Sequence, residues 1–202
     1  MPYDPKIHHR KSIRLKGYDY SQAGLYFITI CVQDRTCLFG DVVNGEMILN
    51  DAGRMVENEW LKLPQRFTII KLHEFVVMPN HFHSIMEIVG ATLVVAQNET
   101  VAQNIELGQH DIGQYENQKG QPQGIAPAKP KNVGDMVGAF QSIVTVEYIR
   151  GVNNLGWKPF NRKLWQRNYW EHIIRDEQSY ERIAEYIINN PKDWVNDKLY
   201  NN

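Results

Sequence analysis

The thirteen residues from Val76 to Ile88 constrain this chain more than any other stretch. After Val76-Val77-Met78-Pro79-Asn80 comes His81-Phe82-His83-Ser84-Ile85-Met86-Glu87-Ile88, and successive side chains of a strand alternate between its two faces. Phe82, Ser84, Met86 and Ile88 therefore point one way, and His81, His83, Ile85 and Glu87 the other. Neighbours on one face sit about 6–7 Å apart and a metal–nitrogen bond is about 2 Å, so both imidazoles can lean onto one divalent ion. A solvated or hydrogen-bonded histidine pair is the other reading of the same pattern. Zinc fits poorly, because Cys31 and Cys37 match no finger or ribbon spacing and no His-Glu-x-x-His helix occurs. A metal here would be magnesium or manganese, completed by oxygen ligands and acting as a Lewis acid.

At 202 residues, 43% of them apolar and 22% charged, the chain is expected to form one domain spanning 1–202 with an ordinary core. It contains no apolar run of membrane-spanning length and no cationic start followed by an apolar stretch, so neither a membrane span nor a secretory signal is expected. Two cysteines without framework spacing point to a reducing cytoplasm. The formal net charge of −1 exerts no global pull on nucleic acid, which leaves local charge to decide.

Local charge is uneven. Residues 6–16 carry Lys6, Arg10, Lys11, Arg14 and Lys16 with no acid, either a solvated arm or one that contacts phosphates. Leu25 to Val32 is β-branched and aromatic and reads as a central strand. Asn44-Gly45 marks a tight turn before Glu46 to Leu49. Asp51 is placed to cap a helix running to about Leu63, with Pro64 as its stop. A strand over Thr68–Val77 follows, antiparallel to the histidine strand because the break between them is hairpin-short. From about 91 to 131 the texture turns to Gln, Asn and Gly with a Pro- and Lys-rich end, Val95-Ala96-Gln97-Asn98 recurs as Val101 to Asn104, and within 92–128 Glu99, Glu106, Asp111 and Glu116 are set against only Lys119; this is read as a low-complexity insertion outside the chemistry. Asn132 caps a second helix to about Arg150. Leu164 to Ile174 returns to strand texture, and its Trp165, Tyr169 and Trp170 lie among Lys163, Arg167 and Arg175. Aromatics interleaved with cations suit stacking on unpaired bases, and they equally suit a core.

A last helix is expected from Asp176 to Asn190, ended by Pro191. Tyr180, Ile183, Ala184 and Ile187 form its apolar stripe. Arg182, Tyr186 and Asn190 follow one another at four-residue spacing, so a phenol and a carboxamide can face the same place. Boundary packing for Tyr186 and a helix cap for Asn190 are the plainer readings.

A resemblance runs through Ser12-Ile13-Arg14-Leu15-Lys16-Gly17-Tyr18-Asp19-Tyr20, the first strand, Val77-Met78-Pro79-Asn80-His81-Phe82-His83, the second helix, Leu164-Trp165-Gln166-Arg167-Asn168-Tyr169 and Glu185-Tyr186-Ile187-Ile188-Asn189-Asn190-Pro191. The sequence resembles the single-tyrosine transposases that act on single-stranded DNA, and within them the REP-associated tyrosine transposases of bacteria. That resemblance implies an α+β, ferredoxin-like antiparallel sheet backed by helices, with the nucleophile on a C-terminal helix. It implies Tyr186 as nucleophile and His81 and His83 as metal ligands, with Asn190 where relatives place a Gln or Asn as third ligand. It further implies single-stranded or hairpin DNA as partner, reached through Arg10, Lys11, Arg14, Lys16, Arg167 and Tyr169, and a cytoplasmic, nucleoid-associated protein. Whether the site is completed within one chain or across a homodimer is left open.

The implied reaction is metal-dependent cleavage and transfer of a DNA strand through a 5′-phosphotyrosine link, which stores the bond energy for rejoining. Neutral imidazoles are needed as ligands, so activity is expected to fade as pH drops through about 6. Tyr148 and Tyr169 stand next in line as nucleophiles. Two other classes compete: a binding module of the same fold without chemistry, and a hydrolase of small phosphoesters, against which stands the scarcity of acids beside the histidines, Glu87 being the only one on their face.

Overall fold

A period-two strand buried on both sides needs cover on both faces, and the computed structural model, which describes residues 14–89 and 131–200, shows how each face is covered. Six strands form: β1 (Gly24–Cys31), β2 (Gly40–Val43), β3 (Glu46–Leu49), β4 (Ile70–Met78), β5 (His81–Ile88) and β6 (Trp170–Ile174). Four helices accompany them: α1 (Asp51–Leu61), α2 (Leu63–Arg66), α3 (Val133–Leu155) and α4 (Glu177–Asn189). The main sheet is antiparallel with order β4-β5-β1-β6, while β2 and β3 form a separate ribbon. With β2–β3 and the short α2 set aside, β1-α1-β4-β5-α3-β6 in this order is the ferredoxin-like arrangement, and the fold is α+β. The low-complexity segment at 91–131 lies, except for Lys131, outside the described residues, as do Arg10 and Lys11. No helix among the described residues is long and apolar enough to cross a membrane.

Alternation along the strands divides the interior. Tyr26, Ile28 and Ile30 of β1 with Phe82, Met86 and Ile88 of β5 meet α1 and α3, where Val56, Trp60, Val137, Phe140 and Val144 complete a large apolar core. The opposite face is covered by α4, which packs Ala184 and Ile187 on Ile85 and Ile174, with Phe27 and Tyr180 around them. His81 and His83 lie on this second face, because β5 alternates and Phe82 belongs to the first.

Local chemistry sets several boundaries differently from expectation. The cap of α1 is Asn50, whose Oδ1 accepts the Gly53 N–H at 2.9 Å; Asp51 is the first helical residue instead. Pro64 does not end helical structure, because it sits near the start of α2, where its missing N–H costs nothing. Asn44 and Gly45 both have positive φ, as the tight β2–β3 turn demands. Asn132 caps α3 with a reciprocal bond to Asp135, and the helix continues to Leu155, where Gly156 in the left-handed region stops it. The expected strand over 164–174 forms only from Trp170 to Ile174; upstream, Trp165 makes an isolated bridge to Val32.

Candidate metal centre and active site

His81 and His83 reach the site through registers that the hairpin β4–β5 and the neighbouring β1 impose: His81 lies between Met78 and Cys31, His83 between Val76 and Thr29. Both rings are buried, with centroids 4.5 Å apart. The buried Asn80 fixes the protonation of His81. Its Nδ2 donates to the carbonyls of Arg35 and Leu199 at 3.1 and 2.8 Å, so its Oδ1 is the acceptor for His81 Nδ1–H at 2.8 Å. The lone pair therefore sits on His81 Nε2, which is buried and has no hydrogen-bond partner. His83 Nδ1 is 2.8 Å from Thr29 Oγ1, and when it donates there its Nε2 also presents a lone pair.

Helix α4 brings the tail of the chain onto these rings. Asp176 caps it by accepting the Ser179 N–H at 2.7 Å, and the apolar stripe that seats it on β4 and β5 turns Tyr186 inward. The Tyr186 hydroxyl is 3.2 Å from His83 Nε2, and its ring meets Phe27 edge-on at 6.2 Å. Asn190, one turn on, is 2% exposed; its Nδ2 donates to Asp197 Oδ2 at 3.0 Å and its buried Oδ1 has no partner. Arg182, at the same spacing on the helix, turns away and donates to Ser179.

Asp197 is the functional candidate that sequence reasoning missed. Beyond Pro191 the chain folds back through a short 3₁₀ turn, Trp194–Asn196, whose tryptophan packs near His81 with centroids 5.8 Å apart. That places Asp197 Oδ2 3.3 Å from the Tyr186 hydroxyl, while Oδ1 accepts the Leu199 N–H at 2.6 Å. A large aromatic among polar tail residues was the available signal that the tail docks. The scarcity of acids inferred from β5 alone is thereby corrected, and Glu87 is engaged elsewhere, with its Oε2 3.0 Å from His73 Nε2.

One nitrogen from each histidine and one oxygen of Asp197 lie within 4.8 Å of one another, and this group could hold a metal ion. The donor set suits a divalent cation: two neutral imidazoles, a carboxylate, and two buried atoms, His81 Nε2 and Asn190 Oδ1, without a hydrogen-bond partner among the described residues. Burial lowers the His81 pKa to about 4, against a partly compensating pull from Asp197, and burial lowers that of His83 well below its ordinary value. Both rings are thus neutral far below pH 6, and the acid limit expected from ordinary histidines moves down. Cys31 faces the same side, but burial pushes its thiol up and away from the thiolate form. Burial, reinforced by the negative charge of Asp197, raises Tyr186 to about 12, so its phenol is protonated at neutral pH.

The site opens into a cavity of about 630 Å³ lined by Phe27, Thr29, His83, Tyr186, Asn190, Trp170 and tail residues that include Asp197 and Lys198. Tyr186 is 44% exposed and Trp170 66% exposed, which makes Trp170 the aromatic of its segment available to a ligand. Trp165 and Tyr169 are not free to stack on bases. Trp165 is buried in the first core with Nε1 donating to the Gln141 carbonyl, and the Tyr169 hydroxyl accepts from Arg14 at 2.6 Å. Arg14 also lies 3.6 Å from the buried Glu171 carboxylate and over the Tyr169 ring, so it clamps the sheet edge. Lys16 and Arg167 are exposed. Tyr148 is buried in the α1–α3 core, donating to the Lys158 carbonyl, and Tyr169 is held by Arg14; neither approaches as a second nucleophile.

Solved structures with overlapping folds include two transposases. One is a REP-associated tyrosine transposase bound to a REP hairpin, with 15% identity, 88% of this chain and 72% of that one covered, and a TM-score of 0.49. The other is a candidate transposase from Deinococcus radiodurans, with 12% identity, coverages of 87% and 95%, and a TM-score of 0.42. At that level of likeness neither carries an argument about what this chain does. No family model matches the sequence. A Haemophilus influenzae protein described only as uncharacterized is 41% identical over 201 residues, covering 98% of this chain and 97% of the relative. At that identity, end to end, the chain belongs to the same protein family as this Haemophilus influenzae protein.

Proposed function

We propose that this protein is a metal-dependent enzyme that cleaves and transfers single-stranded, hairpin-bearing DNA through a covalent link to Tyr186. The observation that carries the reading is the convergence of a phenol from the tail helix, two strand imidazoles with a free buried nitrogen, and a carboxylate from the returning tail, at the floor of one open cavity. The resemblance of Met78 to His83 and of Glu185 to Pro191 to the REP-associated tyrosine transposases supports the same reading.

The groups divide the work as follows. Trp170 at the rim offers a ring face for an unpaired base, and the Lys198 ammonium in the same cavity offers a cation to the phosphate. Asp197 Oδ2, 3.3 Å from the Tyr186 hydroxyl, takes the phenolic proton that a pKa near 12 otherwise holds at neutral pH. Tyr186 Oη then attacks phosphorus; the P–O3′ bond breaks, the departing 3′-oxygen acquires a proton, and the 5′-phosphate stays esterified to the tyrosine. Attack by a 3′-hydroxyl on that phosphotyrosine reverses the step and returns the proton to Tyr186, so strands rejoin without ATP. Magnesium or manganese held by His81, His83, Asp197 and Asn190 would supply Lewis-acid charge that offsets the phosphate's anionic oxygens and the leaving alkoxide. Asn80 and Thr29 orient the two imidazoles from behind.

The test mixes the full-length protein with labelled DNA hairpins bearing single-stranded flanks and manganese, and looks for an SDS-resistant adduct. A covalent product that vanishes in Tyr186→Phe and in excess chelator is the expected result. Binding without an adduct leaves only a nucleic-acid binding module, and turnover of a model nucleotide ester by Tyr186→Phe would establish a water-using phosphoesterase instead.

A further inference from the structure

Between α3 and the segment that returns from it to β6 lies a second concavity, of about 610 Å³, outside the candidate active site. Its helix wall is Gly138, Gln141, Ser142, Thr145 and the exposed Ile149, on one stripe of α3, and a side chain at Gly138 would meet nothing within 4 Å. The opposite wall carries Arg162 and Lys163, both exposed. From Trp157 to Tyr169 there are four cations, Lys158, Arg162, Lys163 and Arg167, and no acid. None of the four forms an ion pair among the described residues, whereas Arg14, Arg54, Arg66 and Arg150 each pair with a carboxylate. Arg162 is held at φ 60°, a left-handed conformation that a non-glycine residue adopts only at a cost, so this turn keeps its shape against a local penalty.

We infer that this groove seats the sugar–phosphate backbone of the nucleic acid whose scissile phosphate enters the Tyr186 cavity. Unpaired cations beside the Ser142 and Thr145 hydroxyls of the helix complement a polyanion. Its aromatic residues are committed to the core: Trp165 is buried and Phe160 packs on Tyr148, leaving no open ring plane for a base. The groove therefore positions the nucleic acid through phosphates and reads no sequence. Along the chain it lies close to the cavity. Gln166 lines the groove and Trp170 lines the cavity, and four residues span at most about 14 Å, with Arg167 between them.

This inference rests on the proposed DNA chemistry for the identity of the polyanion, and the experiment separates the two. Anisotropy of a labelled DNA hairpin with single-stranded flanks measures binding by Tyr186→Phe protein across a range of salt concentrations. Adding Arg162→Gln with Lys163→Gln should lower the slope of log affinity against log salt by about 1.4 to 1.8, the value for two lost phosphate contacts on single or double strands. Arg150→Gln, on α3 and paired with Glu147, should leave it unchanged. Ser142→Glu, an exposed substitution on the helix wall, should weaken binding equally for hairpins of different sequence. A slope that matches the Arg150→Gln control, with Ser142→Glu neutral, overturns the groove even if the unsubstituted enzyme forms the covalent adduct. A lowered slope without any adduct from the unsubstituted enzyme removes the catalytic proposal and keeps the groove as a nucleic-acid interface.

Discussion

Two clusters along α4 are built from the same residue types and end differently. Near its start, Tyr180 donates to Glu74 Oε2 at 2.8 Å and lies 3.4 Å from His73 Nδ1, while His73 Nε2 meets Glu87 at 3.0 Å. Two turns later Tyr186 meets His83 and Asp197, and beside it His81 Nε2 and Asn190 Oδ1 are buried with no partner. The first cluster is closed and half-buried, its donors and acceptors matched to one another. The second holds orphaned buried acceptors, each costing on the order of 1–3 kcal/mol when unsatisfied. A tyrosine, a histidine and an acid in contact are therefore not enough to mark a reactive centre; the incompleteness of the set is what asks for a ligand. The sheet sets up the contrast, because a bulge in β4 between Leu72 and Phe75 turns His73 and Glu74 toward Tyr180, whereas β5 holds its histidines in regular register.

The largest test of the contrast exchanges the two phenols. Tyr186→Phe should reduce covalent adduct formation by on the order of 10³-fold or more, since no other tyrosine among the described residues reaches the ion site, while Tyr180→Phe should leave an adduct readily detected on the same gel. Equal loss in both variants would erase the distinction. Next in size, His81→Ala should weaken manganese binding, followed by calorimetry, by more than the 10–100-fold that loss of an outer-shell partner costs, and His73→Ala should not change it. Asn80→Ala should fall in that 10–100-fold range, because it leaves the ligand atom in place but removes the acceptor that fixes the His81 tautomer and the bond to Leu199 that holds the tail.

Much of this contrast was legible before any coordinates, and the part that was not has a physical reason. Alternation over 81–88 separates the two histidines from Phe82, and helical spacing puts Tyr186 and Asn190 on one side of α4, because both follow from the local geometry of a single element. Asp197 was invisible because its position depends on a tail docking after the helix stop, through Trp194 and the Asn80–Leu199 bond. Trp165 and Tyr169 looked like stacking residues since periodicity cannot tell an edge aromatic from a buried one; the burial of Trp165 beside Gln141 and the Arg14 clamp on Tyr169 decided it. Asn50 took the cap from Asp51 because either side chain can accept a first-turn N–H, and one residue's shift lies below what sequence resolves.

Protonation offers a smaller and independent break. The folded His81 takes its proton only near pH 4, and the unfolded chain near 6.5, so between these values the unfolded state binds more protons and stability falls as pH falls. At pH 5 His81 alone should cost about 2 kcal/mol relative to pH 7, read as a lowered urea midpoint, and His83, lowered in the same direction, adds to the loss. His81→Gln should flatten that pH dependence.

The smallest effect concerns what the closed cluster is for. Tyr180→Phe keeps the ring that packs with Ile183 on the second core and removes only the hydroxyl, leaving Glu74 half-exposed and open to water. Losing one such hydrogen bond should cost about 1 kcal/mol of stability, and solvent access to Glu74 keeps the cost from rising toward that of a buried orphan. If anchoring α4 is its whole task, the loss should show in the urea midpoint while metal affinity and the rate of adduct formation stay as they were. A drop in adduct rate at unchanged stability would mean instead that the two clusters are coupled along the helix, and that the proton of Tyr186 feels His73 and Glu87 from two turns away.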